Sequence, residues 1–180
     1  SPRYTGPVEI GKSARFRATA LREGGENASY SREFAFSKST GRPAVLNTKP
    51  NDSYTFEGAS LLVDGYHSRP VFTSGAWLGY LDEPLDVTID MGGEQSYRSV
   101  ELETLAEKGD WIFPPSSVTV WVSDNGTDFT EVASVAVPEA KAGDADGIGR
   151  YRMQFPETSA RYLKVVAQNA AAIPAWHPGA

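Results

Sequence analysis

The sequence predicts an all-β fold, an antiparallel β-sandwich of the jelly-roll type, and three observations carry that prediction. Apolar residues recur with period two in six separate stretches. Turn-forming residues divide those stretches. No window holds a helical period for more than a turn or two. Side chains alternate faces along a strand, so each period-two stretch reads as one half-buried strand.

In chain order, Ala14, Phe16, Ala18 and Ala20 alternate with Arg15, Arg17 and Thr19. Leu85, Val87, Ile89 and Met91 alternate with Asp86, Thr88 and Asp90. Val100 and Leu102 form a third set, and Val118, Val120 and Val122 a fourth. Tyr151, Met153 and Phe155 follow, and Leu163, Val165 and Ala167 close the series. Asp124-Asn125-Gly126 stands between one strand and Phe129-Thr130-Glu131-Val132. Asn-Gly tolerates the positive φ of a tight hairpin, so a turn is predicted there. Pro114-Pro115, Gly92-Gly93 and Gly41-Arg42-Pro43 read as further breaks. Many short strands separated by turns imply a sandwich rather than a parallel sheet with helices.

Arg22 to Ser29 is polar and Gly-rich and reads as a boundary. Residues 1–28 are then a partial β segment with its linker, too small to be stable alone. Residues 29–180 form the sandwich.

The 180-residue chain is long enough for a core without staples. Its formal charge of −6 argues against nucleic acid, whose binders carry basic stripes. No apolar run approaches the ~20 residues of a membrane helix. Absence of Cys excludes disulfides, thiolate nucleophiles and zinc-thiolate sites. The first residue is Ser1, with no basic and apolar leader, so the chain is expected to be a fragment or processed product.

Two stretches resemble known families. Ser1-Pro2-Arg3-Tyr4-Thr5-Gly6-Pro7 and the strand ending at Arg17-Ala18 resemble part of the C-terminal β-domain of chitobiase-type β-hexosaminidases. From about Tyr30 the chain resembles a discoidin-like domain, also called coagulation factor V/VIII type C. The matching residues include Leu61-Leu62-Val63-Asp64-Gly65, Trp77-Leu78-Gly79-Tyr80 and Trp111-Ile112-Phe113-Pro114. Val120 to Gly126 and Ala160 to Val165 continue the match in the family's order. The resemblance implies a C-terminal piece of a bacterial family 20 β-hexosaminidase, periplasmic, secreted or at the cell surface. It also implies a closing strand bearing an acidic residue. The sequence ends instead at Trp176-His177-Pro178-Gly179-Ala180, so that strand is expected to be missing.

Several constellations invite a chemical reading. Hexosaminidases of this type use an adjacent Asp-Glu pair, but Asp82-Glu83 precedes Pro84 in a turn. A turn supplies no water-poor pocket to separate two carboxyl pKa values, so no catalytic residue is expected. Glu101 and Glu103 share a strand face and are expected to point into solvent. Asp144-Ala145-Asp146-Gly147 departs from the helix-loop-helix calcium pattern and reads as a surface loop. The two histidines, His67 and His177, form no two-His motif. The resemblance places Asp64 in a loop that can hold a structural calcium. With the acidic strand missing that site would be incomplete, and no cofactor is required.

Loop aromatics carry the functional expectation. A flat ring covers the C–H face of a pyranose while neighbours hydrogen-bond its hydroxyls. Trp111, Tyr66, His67, Trp176 and His177 are the candidate carbohydrate-binding residues, with Trp111 central. Trp77 and Trp121 are expected in the core. The chain thus reads as a non-catalytic accessory module that binds a terminal hexose or N-acetylhexosamine weakly. Its expected partners are carbohydrate and the parent's catalytic domain, with no nucleic acid and no membrane. The alternative is a ligand-free spacer packed on that catalytic domain.

Overall fold

A computed structural model describes residues 3–81, 83–170 and 172–180. Among these residues there is no α-helix, and the architecture is nearly all β. The strands are β1 (Ala14–Ala20), β2 (Ala28–Phe34), β3 (Ala44–Leu46), β4 (Leu85–Ala106), β5 (Ser117–Ser123), β6 (Thr130–Ala136) and β7 (Gly147–Gln168). Strands β1 and β2 form an antiparallel ribbon, and the others form a sheet in the order β3-β4-β7-β5-β6.

The two longest strands make the sandwich. Val87 and Val100 both line one partly open cleft of about 500 Å³. They are 13 residues apart on one strand, which would separate them by ~43 Å if it ran straight. The strand must therefore double back. It does so where its register with β7 shifts, between Asp90 and Gln95 and again between Tyr97 and Ser99. Gly92, with φ 77°, and the Asp90 Oδ1 that accepts its N–H at 2.8 Å form the bend. The predicted break at Gly92-Gly93 is thus an irregularity inside a strand, and two predicted strands are one.

Alternation places the core. Leu85, Val87, Ile89 and Met91 are buried, as are Val118, Val120, Val122, Leu163, Val165 and Ala167. Met153 and Phe155 pack on them from the other layer, with Val100 and Leu102 partly buried beside them. Each fully buried aliphatic side chain contributes about 1.5–3 kcal/mol. Trp121 departs from expectation. It alternates with buried Val120 and Val122 and so lies on the opposite face of β5. Trp77 lies in a loop, where its Nε1 donates to the Arg69 carbonyl at 2.9 Å.

The Asn125-Gly126 turn joins β5 to β6. Asn125 Oδ1 accepts the N–H groups of Thr127 and Asp128, both at 2.9 Å. At the other end of the chain, β1 pairs with β2 from Ala14↔Phe34 to Ala20↔Ala28. The polar segment after Arg22 is therefore the turn of a ribbon that straddles residue 28. The five-stranded sheet begins at Ala44.

Tyr97 ties the layers together. Its hydroxyl donates to the Ala160 carbonyl at 2.9 Å, and burial pushes its pKa up to about 12. Folding favours the neutral phenol, so this contribution is complete below the ordinary tyrosine value of about 10 and disappears as pH rises through 12. An ultraviolet titration of phenolate absorbance should show one tyrosine ionising near pH 12, and Tyr97→Phe should remove that step. A titration with every tyrosine ionising near 10 would contradict the buried hydroxyl.

Candidate carbohydrate-binding site

The short β4–β5 connection presents Trp111. Glu107 and Ile112 pair through two backbone bonds of 3.0 and 3.1 Å and pinch off the Lys108–Asp110 turn. Trp111 closes that turn with φ 64°, and the residue is 55% exposed. A bulky residue with positive φ is unusual and tends to mark a site where orientation matters.

The C-terminal segment folds back against this turn. His177 is buried and has ring contacts with Trp111 at 4.8 Å, Phe113 at 5.3 Å and Trp176 at 5.7 Å between centroids. Gly179 N–H donates to His177 Nδ1 at 3.2 Å, so the proton sits on Nε2, which donates to the Lys108 carbonyl at 3.0 Å. Trp176 is fixed by its own Nε1 bond to the Ala140 carbonyl at 2.8 Å. Gly179 approaches so closely that a Cβ there would lie 1.8 Å from Trp111 Cη2. The arrangement requires glycine at that point.

Charge is arranged beneath the rings. Lys108 is buried, and its Nζ donates to the Asp144 carbonyl at 2.7 Å and to Asp146 Oδ1. Hydrogen bonds from Lys108 hold the Asp146 carboxyl below its usual range. The Asp144–Gly147 loop, expected to be plain surface, thus clamps the ammonium that anchors the Trp111 turn. Trp111, Trp176, His177, Lys108 and Asp146 line a depression of about 480 Å³.

Tyr66 and His67 do not line it. Tyr66 stacks on Phe34 at 4.8 Å, with the Arg32 guanidinium 3.5 Å from its ring centre. His67 Nδ1 meets Glu103 Oε1 at 2.6 Å, and Arg150 Nε donates to that same oxygen at 2.6 Å. Glu103 therefore does not point freely into solvent: Arg150 stands opposite it across the strands, as Arg152 stands opposite Glu101. Asp64 Oδ1 accepts the Tyr66 N–H at 2.8 Å, and burial raises its pKa. Among the described residues no group of three or more His, Cys, Asp or Glu side chains is placed to hold a metal. Asp82 lies outside the described residues, and Glu83 Oε2 accepts the Lys49 N–H at 3.1 Å.

An antiparallel sandwich with aromatic side chains gathered on its loops defines a discoidin-like module. The chain belongs to the F5/8 type C domain family, whose model matches residues 46–179. Among solved structures it is similar to chitosan-binding module 1 derived from a chitosanase/glucanase of Paenibacillus sp. IK-5. The TM-score is 0.50 at 18% identity, covering 76% of this chain and 89% of that one. Module 2 of the same enzyme, solved with chitotriose, gives 0.50 at 16% identity over 76% and 91%. The C-terminal domain of a Bacteroides fragilis chitobiase gives 0.43 at 21% identity over 74% and 86%. No curated protein sequence matches the chain. Among the described residues no helix is long and apolar enough to cross a membrane.

Proposed function

We propose that this chain is a non-catalytic carbohydrate-binding module of a secreted or periplasmic glycoside hydrolase, and that it binds a terminal hexose or N-acetylhexosamine at the Trp111–Trp176 depression. The observation that carries this reading is the exposed Trp111 ring, held in a left-handed turn and braced by buried His177 and close-packed Gly179. A rigid aromatic face beside the Asp146 carboxylate offers stacking for a pyranose and an acceptor for its hydroxyls. The chitosan- and chitotriose-binding structures of the same fold support the ligand class. The parent we infer is a β-N-acetylhexosaminidase of the chitobiase type, with this module held close to its catalytic domain. A calcium ion at Asp64 would be structural and weakly held, because that carboxylate already accepts a backbone N–H.

One sugar offers few atoms and water competes for each hydroxyl, so Kd should lie between about 100 µM and several mM. The test is NMR titration with glycans selected on an array. Chemical-shift changes should centre on Trp111 and Trp176, and Trp111→Ala should weaken binding at least about tenfold with the fold intact. If no glycan moves any resonance, the ligand-free spacer replaces this reading.

A further inference from the structure

Among the described residues only two that are not glycine have a positive φ, Trp111 at 64° and Phe56 at 37°, and both are exposed aromatics. A bulky side chain is strained in that region, so its surroundings must hold it there. Trp111 belongs to the depression described above. Phe56 does not line that depression, is 46% exposed, and has no part in the core.

The sequence builds a rigid mount for this ring. Asn51 Oδ1 accepts the Ser53 N–H at 3.0 Å and opens the 3-10 turn Asp52–Tyr54. Asn51 N–H donates to the Gly79 carbonyl at 2.8 Å, and Gly79 N–H donates to the Tyr54 carbonyl at 3.2 Å. The two segments touch: a Cβ on Gly79 would lie 2.9 Å from Tyr54 Cβ. Tyr54 is thereby fixed, and it packs edge-on against Phe56 at 6.3 Å and Phe72 at 6.2 Å between centroids. Gly58 N–H donates to the Thr55 carbonyl at 2.7 Å and closes the turn that carries Phe56. One edge of the Phe56 ring lies beside Gly75, where a Cβ would meet Cδ1 at 3.5 Å. The ring is gripped at its rim by Tyr54 and the Gly75 backbone and keeps area open to water.

Its place in the fold and its neighbours narrow the occupant. Leu46 lies opposite Val87 near the start of β4. The segment from Asn47 therefore leaves the sandwich at the end where the returning half of β4 finishes at Ala106 and the Trp111 turn begins. Glu57 follows Phe56 and Ser74 precedes Gly75, both exposed, and they offer an acceptor and a hydroxyl beside the ring. A lipid surface is met by apolar side chains set among free basic ones. The turn that carries Phe56 is flanked instead by Asp52 and Glu57, and Lys49 is paired with Asp52 at 2.6 Å.

We infer that Phe56 is a second pyranose platform, and that the module takes a hexose or N-acetylhexosamine there as well as at Trp111. The inference rests on the Trp111 reading for the class of ligand alone. The C–H face of the sugar covers the open part of the ring, and Glu57 and Ser74 bond its hydroxyls. A phenyl ring covers less of a pyranose than an indole does, so this is the weaker site, with Kd of about 1–50 mM.

NMR titration of the intact chain with the methyl β-glycosides of glucose, galactose and N-acetylglucosamine tests this. At least one of the three should shift the Phe56 ring resonances and the amides of residues 55–58 and 74–75. Those shifts should persist in Trp111→Ala. Phe56→Leu keeps apolar bulk and loses the flat face, so it should weaken binding at this site at least about tenfold. It should leave the thermal midpoint within about 2 °C of the parent and the Trp111 shifts unchanged. Phe56→Trp should bind at least as tightly as the parent. Shifts at Phe56 without shifts at Trp111 would keep this site and remove the Trp111 reading. Shifts confined to the Trp111 depression would overturn the second platform alone. Silence at both places would overturn both, and binding at residues 55–58 that survives Phe56→Leu undiminished would overturn the role of the ring.

Discussion

Replacing His177 with alanine is expected to abolish carbohydrate binding without any direct loss of a sugar contact. His177 is 7% exposed, so its role is to brace the site from below. It touches Trp111, Phe113 and Trp176, and it joins the Lys108 carbonyl to the Gly179 N–H. Alanine removes the ring that both indoles lean on and leaves two backbone groups without partners. The local cost should be about 2–4 kcal/mol. Trp111 would then be held by its turn alone. Tryptophan emission should shift to the red, and glycan titrations should lose their loop shifts. His177→Phe separates the two contributions, because it keeps the ring and removes both hydrogen bonds. It should retain part of the binding that alanine loses. Unchanged emission and unchanged binding in His177→Ala would show that Trp111 orients itself.

This role was not legible in the sequence, and the reason is distance along the chain. Trp111 and His177 were each visible as loop candidates, but their meeting depends on how residues 174–180 fold back onto a turn 66 positions earlier. Lys108 gave no motif, Phe113 stood only within a family-matching stretch, and Asp146 stood only in a loop read as plain surface, for the same reason. Lys108 reads as an ordinary surface residue until the Asp144–Gly147 loop closes over it. By contrast, Tyr66 and His67, named with Trp111 and His177 as loop aromatics, stand apart from the Trp111 depression, at the ribbon base and beside Glu103. The fold was far more legible. Period-two burial survives one-dimensional reading because a strand's two faces are set by its own residues, and the Leu85–Met91 and Val118–Val122 alternations reappear unaltered as buried faces. What alternation cannot report is whether two consecutive runs are separate strands or one that bends. Gly92-Gly93 has the composition of a turn and the structure of a bulge, since its neighbours on both sides pair with the same strand.

Met91→Ala should be among the most destabilising single changes in the chain. Met91 is 1% exposed and belongs to the wall of the cleft that Val100 and Leu102 line from the other layer. Truncating a buried methionine costs about 2–5 kcal/mol, and the value depends on how far the surroundings can close the gap. Here closure is hindered. The wall that would have to move is the inner face of β4 and β7, whose ladder fixes Val87 opposite Val165 and Ile89 opposite Leu163. The space left by the side chain also opens onto the cleft, so lost contacts are not regained across it. The upper half of that range is expected. Urea titration should show the midpoint falling by about 1–2 M with an unchanged slope. Met91→Leu, which nearly conserves volume, should cost less than about 1.5 kcal/mol. Leu62→Phe, placed on the cleft lining, should act in the opposite sense and add about 0.5–2 kcal/mol by filling space. A loss of less than about 1 kcal/mol in Met91→Ala would mean that the two layers close over the deletion. The cleft would then be a pliable seam, and Leu62→Phe would add strain where it was meant to add contacts.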